Sequence, residues 1–320
     1  MAAKRKKKTA ASALITILCI TGLLLVLAFG TNGAFLDLFM QPGDGAGSAA
    51  SNAAAADNVA KLVPAESSDL LLYVIDTGNS DSMVLLTPDG HSLLIDAGES
   101  DDADRILSTL SALGIKALDG VVATHPHADH IGSMAAVLDN IPVGTIYMTD
   151  FAATTKTYEK MLDAIEENNI PAVHVTAGYT FDLGSVRLTA LNPQDREYDD
   201  ANNSSIVLLA EYGGTKFLFE GDAEEEAIAD MLAGYSGIMD ADVLKVGHHG
   251  SHNGTTQEFL DVVTPSVAII NCGKGNDYGH PHKETIDMLG ATDAAILRTD
   301  QNSDIAVFSD GTAVRYETAA

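Results

Sequence analysis

From about residue 70 to the C-terminus, short apolar runs alternate with polar turn residues and with segments of helical spacing. Apolar or alternating runs of about four to eight residues predict strands, and these lie at 70–75, 83–86, 92–95, 120–123, 143–147, 172–175, 185–191, 205–212, 215–219, 243–246, 294–298, 304–308 and 312–316. Apolar positions with helical periodicity predict helices at 102–113, 131–138, 155–167, 223–233, 256–263 and 283–289. Because strands and helices alternate and hairpins are mixed in, we expect an α/β (α+β) fold with two sheets flanked by helices.

A different pattern precedes this body. Residues 10–30 are almost wholly apolar and carry no charge, and about 20 such residues span a bilayer as a helix. The basic cluster in residues 1–9 predicts a cytoplasmic tail, which would place the body on the extracytoplasmic side. A cleaved secretory signal, with a secreted body, is the competing interpretation.

The segment between the apolar run and the body, residues 31–68, is interpreted as a linker. Residues 41–68 are rich in Gly, Ala, Ser, Asn and Asp and show no evident hydrophobic periodicity. This composition is typical of a flexible tether. The catalytic domain is therefore predicted to cover residues 69–320.

Charge and cysteine content narrow the possible chemistry. The net charge is −27, and without the five basic residues of the tail the rest of the chain has 13 basic against 45 acidic residues, a net charge of −32. Such a body repels polyanions at long range and counts against tight non-specific binding of nucleic acid, although a bound metal can invert the field near a site. The two cysteines, Cys19 and Cys272, predict neither a disulfide framework nor a cysteine zinc site, so any metal must be held by His and Asp.

The clearest chemical motif is the run His125-Pro126-His127-Ala128-Asp129-His130, which follows a predicted strand and precedes a predicted helix. Side chains two apart on extended backbone point the same way, so His125 and His127 are expected to converge. Asp129 and His130 start the next turn and point to a neighbouring position. Imidazole and carboxylate suit zinc, manganese or iron, and this loop could hold two adjacent ions.

Two further strand ends finish in residues of the same kind. Asp222 follows the strand at 215–219 and either bridges two metals or caps the next helix. His248 and His249 follow the strand at 243–246. We expect His248 to complete the second metal site, because it lies nearer the strand, whereas His249 is expected to contact substrate or water. Three such strand ends predict one metal-dependent active site.

The run from His125 to His130 resembles the signature of the metallo-β-lactamase superfamily. With the segments at 76–78, 95–98, 221–222 and 245–251, the chain is similar to the C-terminal hydrolase domain of ComEC-type DNA-uptake proteins, and the segments at 276–281 and 298–301 resemble that subgroup specifically. The similarity covers about residues 69–317. It implies a four-layer αββα sandwich and a bacterial origin. Together with the apolar run at 10–30, this predicts a sandwich domain preceded by one transmembrane helix in the cytoplasmic membrane.

The resemblance also implies a ligand set and one or two divalent ions, zinc or manganese. Carried over residue by residue, the ligands are His125 and His127 for one metal, Asp129, His130 and His248 for the second, and Asp222 as the bridge. Asp96 would not bind the metal itself but would orient a histidine ligand through a hydrogen bond.

Two departures from the wider superfamily matter. True β-lactamases carry a further histidine ligand between the first motif and the bridging Asp, and residues 191–205 contain no histidine. This absence fits the ComEC-type subgroup, leaves the first metal with fewer ligands and argues against β-lactam hydrolysis. The chain also has one predicted membrane segment, so the multi-helix DNA channel of those proteins is not expected.

The function expected from these motifs is that of a phosphodiesterase or nuclease, with Asp129, His249 and His280 as catalytic residues. His280 would contact the phosphate or protonate the leaving group, or is a simple turn residue beside Pro281. The expected substrate is a phosphodiester, either single-stranded DNA or a cell-surface phosphate polymer, and no protein partner is predicted. The alternatives are a hydrolase of a carboxyl ester, lactone or amide, and a non-catalytic surface binding protein.

Overall fold

The structure, a computed structural model, describes residues 47–64 and 67–320. The predicted basic tail and the predicted membrane segment at 10–30 lie outside these residues. Within the described ranges, no helix combines the length and the hydropathy that a membrane span requires.

The described strands form two sheets. The first contains β1 (Leu70–Val74), β2 (Met83–Leu86), β3 (Ser92–Ile95), β4 (Leu118–Ala123), β5 (Val143–Met148), β6 (Ala172–His174), β14 (Ile305–Ser309) and β15 (Val314–Thr318). Their order is β15-β14-β1-β2-β3-β4-β5-β6. From β15 to β3 neighbouring strands are antiparallel, and from β3 to β6 they are parallel.

The second sheet is also mixed. It contains β7 (Thr180–Leu183), β8 (Val186–Asn192), β9 (Val207–Tyr212), β10 (Thr215–Phe219), β11 (Val243–Lys245), β12 (Val267–Ile270) and β13 (Ala295–Arg298). Their order is β13-β12-β11-β10-β9-β8-β7. The strands from β10 to β13 are parallel, whereas β7 to β10 form antiparallel hairpins.

Helices cover the sheets, and alternation along the strands divides the core between layers. The helices are α1 (Gly47–Leu62), α2 (Ala103–Ala112), α3 (Ala128–Ile131), α4 (Met134–Asn140), α5 (Lys156–Glu167), α6 (Glu225–Tyr235), α7 (Gln257–Val263), α8 (Lys283–Gly290) and α9 (Thr299–Asn302). In β1, Leu70 and Leu72 join the apolar cluster between the sheets, while Leu71 and Tyr73 join the cluster beneath α2, α4 and α5. A third cluster lies between the second sheet and α6, α7 and α8. These three clusters separate four layers, as predicted.

The fold brings the ends of four parallel strands together. Asp96 follows β3, His125 follows β4, Asp222 follows β10 and His249 follows β11. Since the carboxyl ends of parallel strands share one edge of a sheet, and the two sheets pack face to face, these residues meet at the edge of the sandwich.

Part of the predicted linker is helical. Helix α1 occupies Gly47–Leu62, and its residues Val59 and Leu62 are buried in the cluster between the first sheet and its helices. Asn58 Nδ2 donates a hydrogen bond to Asp304 Oδ2 at 2.8 Å. The segment is rich in Ala, which favours helix, and Val59 and Leu62 lie three positions apart on one face. The interpretation of this part as a flexible tether is therefore corrected.

Other differences are local. The helix predicted at 131–138 is two short helices, α3 and α4. At the break, the N–H groups of Gly132 and Ser133 donate to the carbonyl oxygens of Gly98 and Ala97 instead of within a helix. Strands β7 and β12 and helix α9 were not predicted. Strand β12 is a run of only four apolar residues, and such a run does not distinguish strand from helix by periodicity.

Candidate metal centre

The first motif forms a tight loop between β4 and α3. His125 is buried, and its Nε2 lies 3.0 Å from Nδ1 of His127. His127 has extended backbone and immediately precedes α3. The two imidazoles therefore converge, as their spacing predicts. Burial, together with the neighbouring His130, holds the pKa of His125 well below its ordinary value, so His125 is neutral at pH 7.

Asp96 fixes the orientation of His130. Its Oδ2 lies 2.8 Å from His130 Nδ1, and it accepts hydrogen bonds from Thr124 N and Thr124 Oγ1 at 2.9 and 2.8 Å. Asp96 and His130 are fully buried. With its Nδ1 at Asp96, His130 presents Nε2 to Asp222, whose Oδ1 is 3.2 Å away.

Asp222 occupies the centre of the site. Its Oδ2 lies 4.0 Å from His125 Nε2, 3.8 Å from His248 Nε2 and 3.7 Å from His249 Nε2. The preceding Gly221 has a φ of 57°, and a Cβ there would approach Ser205 to 3.1 Å. Glycine at this position thus permits the turn that brings Asp222 inward.

The third strand end places two histidines on left-handed backbone, with φ of 48° at His248 and 53° at His249. His249 Nε2 lies 3.3 Å from Asp129 Oδ2, and His249 Nδ1 lies 3.1 Å from the carbonyl oxygen of Asn271. His248 Nδ1 lies 3.0 Å from Glu224 Oε1. Because of this turn, the imidazole nearer the strand in sequence is not the one that points furthest into the site.

Four of the predicted residues bring ligand atoms within 4.8 Å of one another: Asp129, His130, Asp222 and His249. The geometry puts His249 in this group, where the sequence had favoured His248. His248 instead faces Glu224 with one nitrogen and Asp222 with the other. His125 and His127 lie next to the group, with the rings of His125 and His130 4.2 Å apart.

The residues of this group fit a divalent metal. His130 Nε2 and Asp222 Oδ1 are buried and have no hydrogen-bond partner. Buried polar atoms without partners are costly and need an explanation. Imidazole nitrogens and carboxylate oxygens are the donors that zinc and manganese take in proteins, so a bound ion would satisfy both atoms.

Charge coupling within the group is strong. Burial lowers the pKa of His130, but Asp222, Asp96 and Asp129 outweigh burial and raise that pKa well above its ordinary value. The pKa of His249 is raised to about 10 by Asp222, Asp129 and Asp81, again against burial. Because a metal binds the neutral imidazole, the raised pKa values mean that metal binding displaces protons from these histidines.

The rim of the site carries His280. Its ring centroid lies 5.5 Å from that of His248, and the exposed ring of Tyr278 stacks on its other side at 5.6 Å. Asn276 holds the loop through its side chain, which bonds to the backbone N–H and carbonyl of His280. Burial, with His248 and His249, lowers the pKa of His280 to about 4.

Several residues around the site were missed by the sequence reasoning. Asp81, Glu220 and Lys245 are fully buried, and Glu220 Oε2 accepts a hydrogen bond from Gly247 N at 2.8 Å. Lys245 belongs to the motif at 245–251 but had no role. A lysine inside an apolar strand was the available signal, because lysine is almost never fully buried unless it is paired.

Comparisons with known proteins agree with this geometry. The family model of the metallo-beta-lactamase superfamily matches residues 75–274. The long matches include ComE operon protein 3 of Bacillus subtilis, which is 33% identical over 261 residues, covering 76% of this chain and 34% of that protein. The chain thus spans about a third of that relative's length.

Shorter matches are an exodeoxyribonuclease, YycJ, of Bacillus anthracis, 29% identical over 114 residues (36% of this chain and 39% of that protein), and a hydroxyacylglutathione hydrolase of Aeromonas hydrophila, 35% identical over 69 residues (22% and 26%). Among solved structures, CmlA, a diiron beta-hydroxylase from Streptomyces venezuelae, superposes with a TM-score of 0.51 at 14% identity, covering 80% of this chain and 55% of that one, which supports the fold alone. The chain belongs to the metallo-β-lactamase superfamily and is similar to competence proteins of the ComEC type.

Proposed function

We propose that this metal-dependent hydrolase is a phosphodiesterase. The observation that carries the proposal is the central carboxylate of Asp222, which has Asp129, His130 and His249 grouped around it and His125 within 4.0 Å. A carboxylate in that position can serve two neighbouring metal positions. Two-metal centres are common in enzymes that displace groups at phosphorus.

The chain's own residues hold and orient the reacting groups. When bound, one or two divalent ions would lower the pKa of a water and neutralise charge on the phosphoryl oxygens. Asp96 keeps the proton of His130 on Nδ1, which leaves Nε2 free as a ligand atom. Glu224 Oε1 lies 3.0 Å from His248 Nδ1 at the rim of the site.

In this proposal, His280 contacts the phosphate. It lies beside His248 and His249, and its Nδ1 is buried without a hydrogen-bond partner. With a pKa of about 4, the imidazole is neutral at pH 7. A neutral ring can still donate one N–H to a phosphoryl oxygen, so we assign His280 to phosphate binding and not to protonation of the leaving group.

The surroundings favour a substrate that brings little negative charge. A groove of about 260 Å³ is lined by Thr149 and Ser204 and carries one basic residue, Arg196, against four acidic residues, Asp150, Asp195, Glu197 and Asp199. Thr149 also lines a small cleft against His125, so the groove opens next to the first motif. A small phosphodiester, or the end of a polymer, meets less repulsion here than a long polyanion.

Two natural substrates are compatible with the proposed phosphodiesterase activity. Single-stranded DNA is favoured by the competence-type relatives and by the exodeoxyribonuclease match, and a cell-surface phosphate polymer by the predicted extracytoplasmic location behind a membrane segment at 10–30. The match to a hydroxyacylglutathione hydrolase favours the second candidate, hydrolysis of a carboxyl ester, lactone or amide.

Competing substrates decide between the two candidates. The full chain, loaded with zinc or manganese, is assayed on bis-p-nitrophenyl phosphate, on single-stranded DNA and on a lactone. We expect phosphodiester turnover to exceed lactone turnover and to disappear in Asp129→Ala, while the surface variant Asp139→Asn keeps it. Metal-dependent lactone turnover that exceeds phosphodiester turnover would make the ester, lactone or amide assignment correct.

A further inference from the structure

A buried ion pair lies beneath the metal centre. Lys245, the last residue of β11, and Asp81, in the loop between β1 and β2, are both fully buried, and Lys245 Nζ lies 2.7 Å from Asp81 Oδ2. The two residues come from different sheets. Removing two charges from water is costly, and a buried pair is often no more stabilising than apolar side chains of similar volume. The pair therefore calls for an explanation beyond stability.

The second oxygen of Asp81 faces the metal centre. Asp81 Oδ1 lies 3.4 Å from Nδ1 of His249, on the side of the ring opposite the nitrogen that approaches Asp129 and Asp222. Among the described residues, neither carboxylate oxygen of Asp81 has a partner with full hydrogen-bond geometry. Its ion-pair partners are Lys245 and His249.

The backbone of Asp81 ties the same region together. Its N–H donates to the carbonyl oxygen of Asp129 at 3.1 Å, and its carbonyl oxygen accepts from Gly98 N at 2.8 Å. Asp81 therefore contacts the loop that carries Asp129, the loop that follows Asp96 and the side chain of His249. A displacement of Asp81 would therefore change the position of both loops and of the His249 side chain.

His249 needs such support more than an ordinary ligand does. Its backbone is left-handed, with a φ of 53°, and such a conformation at a non-glycine residue is strained and persists only when neighbours enforce it. For His130 the enforcing neighbour is Asp96, at 2.8 Å from Nδ1. For His249 the corresponding place is occupied by Asp81, together with the carbonyl oxygen of Asn271 at 3.1 Å.

We propose that Asp81, held in place by Lys245, is the positioning residue of His249: its Oδ1, beside the carbonyl oxygen of Asn271, favours the proton on Nδ1 and so directs Nε2 towards the metal. Lys245 offsets the negative charge of this buried carboxylate, and it is itself fixed by donating to the carbonyl oxygen of Val246 at 3.0 Å. The proposal rests on the metal centre of the proposed function but not on its phosphodiester substrate.

Two charge-balanced double variants test it. Asp81→Leu with Lys245→Met removes both charges and the acceptor, whereas Asp81→Asn with Lys245→Met removes both charges and keeps an acceptor for Nδ1–H. Zinc affinity is measured on the full chain by competition with a chromophoric chelator, without substrate. We expect the leucine variant to bind zinc about 10- to 100-fold more weakly than the wild type, as for loss of other outer-shell partners, and the asparagine variant to stay near the wild type. Equal affinities in the two variants would overturn the proposal.

A control separates positioning from general destabilisation. Arg105→Met with Asp304→Asn removes an ion pair of 2.6 Å between a partly buried arginine and a fully buried carboxylate, whose Asp304 supports the base of the same loop through Asp76 N. We expect this variant to unfold at lower temperature with unchanged zinc affinity. A loss of zinc affinity equal to that of the leucine variant would show that destabilisation alone explains the effect.

A second measurement serves in case the leucine variant does not fold. In the zinc-loaded wild type, ¹⁵N chemical shifts of the His249 ring report which nitrogen carries the proton. We expect a protonated Nδ1 and a metal-bound Nε2, and the opposite assignment would overturn the proposal. Zinc affinity and ring protonation are read without turnover, so failure of phosphodiester hydrolysis leaves both results intact.

Discussion

At the scale of single residues, three of the six non-glycine residues with positive φ in the described chain lie at the metal centre. Asp96, His248 and His249 are non-glycine residues with left-handed backbone, with φ of 59°, 48° and 53°. Asp96 orients His130, and His249 joins the ligand group. Strain that gathers in this way at a cluster of ligand-type side chains points to a site whose geometry is fixed before anything binds.

The two neighbouring histidines are expected to differ in importance for the ion held by Asp129, His130 and Asp222. We expect His249→Ala to lower the affinity for this ion by at least the 10- to 100-fold typical of a lost outer-shell partner, because a direct ligand atom is removed. We expect His248→Ala to keep the ion bound. Metal content after dialysis, measured by atomic emission, distinguishes the two, and the reverse order of loss would return the ligand role to His248.

At the scale of secondary-structure elements, the loops that follow the parallel strands are braced by carboxylates. Asp102, at the start of α2, accepts hydrogen bonds from Glu99 N at 2.8 Å and from Ser80 Oγ at 3.3 Å. It thereby joins the loop after β3 to the loop after β1. Burial, with the negative charges of Asp101 and Glu99, raises the pKa of Asp102 to about 6.

This raised pKa predicts a pH dependence of stability. The folded state holds the proton of Asp102 more tightly than the unfolded state, so the stabilisation is complete below about pH 4 and is lost as pH rises through about 6. Asp102→Asn keeps an acceptor but cannot ionise, so its stability relative to the wild type should increase between pH 4 and 7. Since the carboxyl is partly exposed, we expect about 1 kcal/mol. Urea unfolding of the two proteins at both pH values measures the difference in free energy of unfolding. The same difference at pH 4 and pH 7 would contradict the prediction.

At the scale of the whole molecule, the folded body begins before the strands. Helix α1 buries Val59 and Leu62 against the first sheet and its helices, and Asn58 and Lys61 bond to Asp304 and to the carbonyl oxygen of Ala319. The C-terminal strands and α1 therefore support each other.

A chain that begins at residue 47 should accordingly be more stable than one that begins at residue 69. Burial of an aliphatic side chain contributes about 1.5–3 kcal/mol, so we expect the loss of Val59 and Leu62 to cost a few kcal/mol and to lower the melting temperature by several degrees. Differential scanning calorimetry of the two chains measures this. Equal melting temperatures would mean that α1 does not contribute to the folded body.

The excess of acidic residues predicts an unusual dependence on salt. Repulsion between the acidic body and a polyanion is screened as ionic strength rises. We therefore expect kcat/KM for single-stranded DNA to rise severalfold between about 50 and 200 mM salt, while hydrolysis of bis-p-nitrophenyl phosphate changes little. A steep fall for DNA would instead show direct phosphate contacts by basic residues.

The sequence was most informative where a side chain's direction follows from local backbone. His125 and His127 converge because they lie two apart after a strand, and Asp222 turns inward because Gly221 precedes it. Local pattern could not show that His249, two residues after Gly247, would reach Asp129, because left-handed backbone reverses the expected direction. Nor could it pair Asp81 with Lys245, since their contact depends on how the two sheets pack. Helix α1 was missed because its buried positions are few and small.

The central claim is metal-dependent hydrolysis of a phosphodiester at the centre built around Asp222. The most direct test follows hydrolysis of bis-p-nitrophenyl phosphate by the full chain as zinc or manganese is added to metal-free protein, beside Asp129→Ala. The account predicts a rate that rises with bound metal, reaches a plateau at one or two ions per chain and is absent in the variant. Wild-type protein that binds metal and hydrolyses the ester no faster than Asp129→Ala would contradict it.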